Sequence, residues 1–80
     1  MRFSLACERM HTLICVVFGD RPFTARELKT VVVLAGGEFD EDAWEFVRHN
    51  HLRITDEWMQ NYGNSRYVAP TYRVIQDGTV

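Results

Sequence analysis

Phe23-Thr24-Ala25-Arg26-Glu27-Leu28, closed eight residues later by Gly36-Gly37, is the stretch whose reading decides the fold. Thr24 and Glu27 have the spacing of a capping box, in which the threonine oxygen and the N3 carboxylate each satisfy a backbone N–H of the other. Phe23 before the cap and Leu28 at N4 form a hydrophobic staple. Ala25, Leu28, Val32 and Ala35 continue an apolar stripe at helical spacing. The run Val31-Val32-Val33-Leu34 is β-branched and would suit a strand. The cap before it and the two glycines after it decide for a helix.

Outward from this helix, residues 4 to 18 read as an amphipathic helix. Ser4 is its expected cap, Glu8 stands in its early turns, and Ala6, Met10, Leu13, Ile14 and Val17 fall on one stripe. Gly19-Asp20 stops it, and Pro22 keeps the link extended. On the other side, Asp40 is expected to cap a third helix, with Phe39 as a second staple residue. Ala43, Phe46, Val47 and Asn50 share one face of that helix, flanked by Trp44. Residues 51 to 59 alternate, with Leu52, Ile54 and Trp58 against His51, Arg53, Thr55 and Glu57, which predicts a strand. Tyr62-Gly63-Asn64-Ser65 is a turn signal. Residues 66 to 75 return as a second strand, which Pro70 sets at an edge or a bulge. The expected core is Leu13, Ile14, Val17, Leu28, Val32, Phe46, Val47, Leu52, Ile54 and Val74.

The succession of helix, short extended piece, helix, turn, helix and hairpin resembles the winged helix-turn-helix superfamily over residues 4 to 75. Phe23 to Leu28, Gly36-Gly37, His51-Leu52-Arg53-Ile54 and Tyr72-Arg73-Val74-Ile75 carry the likeness. The resemblance implies an α+β fold in one domain over residues 1–80. Three helices would form its core, closed by a C-terminal two-stranded β-hairpin wing. The third helix would be the recognition helix and residues 58–67 the wing.

At 80 residues, two domains would each be too small to stand without metal or disulfides. With 46% hydrophobic and 25% charged residues, the chain is neither disordered nor collagen-like. Residues 13 to 18 are apolar but too few for a signal-peptide core or a membrane span, so a cytoplasmic protein with no membrane partner is expected. Cys7 and Cys15 would lie about 12 Å apart on one helix. A disulfide needs under about 7 Å, so both are expected as free thiols.

The charges are lopsided. Glu38-Phe39-Asp40-Glu41-Asp42-Ala43-Trp44-Glu45 holds five acids and no base, while the other 72 residues carry nine bases and six acids. A recognition helix leads into the major groove with its N-terminal residues. Most of its affinity comes from neutralising phosphates, which this end opposes. Part of the acidity simply favours the positive end of the helix. One functional reading makes Glu38, Asp40, Glu41, Asp42, Trp44 and Glu45 a surface for a basic, nucleic-acid-handling protein partner, with Trp44 as anchor. In size and charge the chain is similar to small phage-encoded inhibitors, anti-CRISPR proteins among them. The alternative is a DNA-binding regulator using Arg26 and Lys29 on the second helix with Tyr62, Asn64 and Arg66 on the wing. So thin a set of bases requires a homodimer.

Catalytic and metal signals are weak. His49 and His51, with His11 or Asp56 nearby, straddle a helix end, and no Cys-x-x-Cys or His-Glu-x-x-His accompanies them. There is no phosphate loop and no nucleophile arrangement. Glu41 and Glu45 form a repelling i, i+4 pair. No enzyme activity, metal or cofactor is expected.

Overall fold

The computed structural model describes residues 2–75, with side chains from Leu5 onward. Helix α1 spans Arg2–Val17. It begins upstream of Ser4, which therefore lies inside the first turn rather than at the cap. Cys7, Met10 and Ile14 form its buried edge, with Ala6 and Leu13 packed beside them. Gly19, at φ +61°, ends the helix in the left-handed region that glycine enters without steric cost.

Strand β1, Phe23–Thr24, leads directly into α2, Ala25–Leu34. The capping box is complete: Glu27 N–H donates to Thr24 Oγ1 at 3.1 Å, and Thr24 N–H donates to Glu27 Oε1 at 2.8 Å. Phe23 and Leu28 are both fully buried in the same core. At the far end Gly36 N–H bonds Val33 O and Gly37 N–H bonds Val32 O, with Gly36 at φ +89°. That is a Schellman closure, and it requires the left-handed residue. The β-branched run lies within the helix.

Helix α3 is Glu41–His51, and the Asp40 carboxylate accepts from Ala43 N–H at 3.1 Å. It passes without a loop into β2, Leu52–Ile54. The chain then departs from the expected hairpin. Residues 56–62 are a fourth helix, α4, Asp56–Tyr62, and only β3, Thr71–Val74, is strand in the returning segment. Thr55 causes the difference. Its Oγ1 accepts from Trp58 N–H at 3.1 Å, and Asp56 and Glu57 follow in the first turn, where acids favour a helix N-terminus. Thr55 is only 2% exposed, bonding Thr71 through both its backbone N–H and its hydroxyl.

The described residues thus form a mixed α+β domain of four helices and one antiparallel three-stranded sheet ordered β1-β3-β2. Phe23 stands opposite Tyr72, and Ile54 opposite Tyr72 from the other side. β3 is therefore the central strand. Pro70 lies just before it, outside the ladder, so its missing N–H costs no bond and the expected edge placement does not hold.

The core gathers around Tyr72. Its ring meets Trp44 edge-on at 5.4 Å and Phe23 at 6.3 Å, and Phe23 stacks on Phe18 at 4.5 Å. Of the expected core, Ile14, Leu28, Val32, Val47, Leu52 and Val74 are buried. Leu13 and Val17 are half-buried. Phe46 and Ile54 are exposed, because α3 turns Ala43, Trp44 and Val47 inward instead and β2 buries only Leu52.

Candidate protein-binding site

The link from α2 to α3 and the first turn of α3 carry the acidic group. Glu38, Glu41 and Asp42 are exposed, and among the described residues none of them has an ion pair. Asp40 is committed to capping α3. Glu45 is also committed: Arg48 approaches it to 2.6 Å, and His49 Nδ1 lies 3.9 Å from the same oxygen. An exposed pair of this kind contributes at most about 1 kcal/mol, but it takes Glu45 out of the free charge. The unpaired negative end is therefore Glu38, Glu41 and Asp42.

Trp44 does not belong to this surface. It is 6% exposed and sits in the core against Tyr72. Phe39 at N′ and Trp44 at N4, with ring centroids 6.0 Å apart, form the staple that the sequence assigned to Phe39 alone. The anchor role expected of Trp44 is corrected accordingly: its indole is spent on fixing the entry of α3.

The alternative set of cations is divided. Lys29 reaches from α2 to place its ammonium 5.7 Å from the centre of the Phe39 ring, beside the acidic link. Arg26 lies at the start of α2, exposed. Tyr62 is the last residue of α4, and Asn64 and Arg66 follow in the connection to β3 rather than at the tip of a hairpin. Tyr67 beside them is 95% exposed. The expected wing over residues 58–67 and the Tyr62-Gly63-Asn64-Ser65 turn signal point to a surface there, while the strand expected over residues 66–75 does not.

The histidines separate. His49 Nδ1 lies 3.2 Å from Glu45 O, at the C-terminal half of α3. His51 instead stacks on His11 at 4.3 Å, and Cys15 Sγ lies 3.7 Å from His11 Nε2. Among the described residues no group of three or more His, Cys, Asp or Glu side chains is placed to hold a metal ion. Cys7 is buried and Cys15 exposed, both as free thiols. Burial first, and then the charge of Asp40, push the Cys7 thiol up, so it remains protonated. No described helix is long and apolar enough to cross a membrane.

His11 gives a pH dependence with a definite sign. Burial first, and the neighbouring His51 second, hold it below its ordinary value of 6.5. The unfolded chain then binds that proton at a higher pH than the folded one. Stability is full above the unfolded value and declines as pH falls through it, levelling off only below the folded-state value. Urea midpoints measured from about pH 7 down to about pH 5 should fall less steeply in His11→Gln than in the wild type. Equal slopes would remove the histidine stack as their source.

Comparison of the chain with protein-family models, curated proteins and solved structures finds no match.

Proposed function

We propose that this is a small non-catalytic binding protein whose acidic helix end engages a basic, nucleic-acid-handling protein. The observation that carries the reading is the exposed, unpaired set Glu38, Glu41 and Asp42 at the N-terminus of α3. The order α1-β1-α2-α3-β2-β3, with β3 between the other strands, supports a winged-helix-like arrangement with α4 set between the two wing strands. In such an arrangement α3 is the helix that would meet DNA, and its leading end repels phosphate. The same end suits the phosphate-binding surface of a basic partner. This is the logic of an inhibitor similar to small phage-encoded anti-CRISPR proteins, acting in the cytoplasm.

Charge attraction of this kind accelerates encounter and fades as salt shortens its reach to about 8 Å at physiological strength. Glu38→Lys with Glu41→Lys should leave stability within about 1 kcal/mol, since both side chains are exposed and only Glu41 touches the helix terminus. Wild-type and reversed proteins used as bait in a cell extract should differ in the basic proteins they retain. An identical retained set from both baits would contradict the proposal.

One observation favours a second reading. Arg66 has no ion pair among the described residues and stands beside the fully exposed Tyr67, with Tyr62 also exposed. A cation next in the chain to an exposed tyrosine ring suits stacking on nucleic-acid bases, although Tyr62 already packs its ring against Trp58 at 6.4 Å. With Arg26, Lys29 and Asn64 it would form the DNA-contacting set of a dimeric regulator.

A further inference from the structure

A groove of about 430 Å3 runs between α1 and the end of α2. Ala6, Met10, Leu13, Val32 and Ala35 line it, and its far wall is formed by Gly37, Glu38 and Asp40. Met10 and Val32 are themselves buried, so they are its floor. Gly37 borders that floor, where a Cβ would make ordinary contact with Val32 Cγ1 at 3.6 Å. Leu13 and Arg9 continue the groove into a shallower strip with Glu8, Thr12 and Val16, the last 77% exposed. This is the shape that receives one face of a helix, whose anchors recur at i, i+3, i+4 and i+7.

We infer that this groove receives an amphipathic helical segment of the basic partner, its apolar side chains seated between α1 and α2 and its Lys or Arg residues against Glu38 and the first turn of α3. The inference rests on the acidic end being a protein-binding surface, and it extends that surface to an apolar seat that shares its residues. Charge decides the occupant. Glu38 and Asp40 form one wall, and Glu41 and Asp42 follow directly in the chain. On the α1 side the groove itself holds one charge, Arg9, and Glu8 stands only in the strip beyond it. A segment basic along its whole length would meet Arg9, so the cations gather at the end that lies over the acids. A second copy of this chain fits less well, because its own groove would bring the same two acids to the contact.

The test is a titration of 15N-labelled protein with two synthetic peptides of about 20 residues, beyond the length at which isolated helices are marginal. Both carry leucines at i, i+3, i+4 and i+7. One ends in lysines and the other in glutamates. The lysine peptide should shift the amides of Met10, Leu13, Val32, Ala35 and Glu38, and the glutamate peptide should not. Ala35→Gln, an uncharged enlargement at an exposed position at the end of α2, should weaken lysine-peptide binding at least tenfold while leaving the thermal midpoint in place. Glu38→Lys should reverse the preference between peptides. Shifts confined to Glu41 and Asp42, insensitive to Ala35→Gln, would overturn the groove while leaving the acidic surface standing. Equal groove shifts with both peptides would overturn the charge argument and the acidic surface with it. Absence of shifts with either peptide, or groove shifts that follow protein concentration alone, would overturn the inference, the latter in favour of self-association.

Discussion

Trp44→Ala is expected to cost about 3–5 kcal/mol, the range for removing a large buried aromatic side chain. A single core in a chain this short supplies little more than that, so the variant should be largely unfolded at ambient temperature. The loss has three sources: the edge-on contact with Tyr72, the staple with Phe39, and the cavity left where α3 meets the sheet. Urea unfolding followed by far-UV circular dichroism measures it. Phe46→Ala, two residues further along α3 and on its outer side at 41% exposed, should cost much less. If Trp44→Ala instead kept its stability and lost only binding, the indole would be a surface anchor and the packing described here would be wrong.

Leu28→Ala is expected to cost about 2–5 kcal/mol, with the value set by how far α2 settles into the vacated space. Leu28 has no solvent exposure and sits one turn after the Thr24 cap, in the core cluster with Phe23. The substitution removes half of the staple that aligns α2 with β1, so β1 pairing with β3 should loosen as well. Hydrogen exchange of the amides over residues 71–74 would detect that coupling. A cost below about 1 kcal/mol, with those amides still protected, would mean that α2 is not anchored through Leu28.

What was legible in the sequence was local. A cap, a staple or a terminating glycine is decided within five residues, and Thr24, Glu27, Gly36 and Asp40 all make the bonds their spacing implies. The misreadings lie where a short segment satisfies two patterns. Residues 51–59 alternate well enough for a strand, yet Thr55-Asp56-Glu57 is also a helix start, and the buried hydrogen bonds of Thr55 decide the matter. Only Leu52 to Ile54 keeps strand pairing. β1 has two residues, too few for any periodicity, and exists because β3 pairs with it.

The acidic site was legible as composition and not as availability. Counting acids located the end of α3, but the pairing of Glu45 with Arg48 and the burial of Trp44 depend on side-chain placement. Membership of the second helix puts Lys29 with Arg26, whereas side-chain placement brings its ammonium over Phe39. Burial of an aromatic is a tertiary outcome: Trp44 turns inward because Tyr72 on the central strand offers its ring there.

Polarisation of a labelled random-sequence DNA duplex at low salt tests the central claim most directly. Low salt gives phosphate contacts their greatest strength. The account predicts that the wild-type protein leaves the polarisation unchanged, because the exposed end of α3 repels the duplex. It would be contradicted by clear wild-type binding that Glu38→Lys with Glu41→Lys strengthens and that Arg26→Ala or Arg66→Ala weakens alike on every sequence. That result would make the chain a DNA-binding regulator.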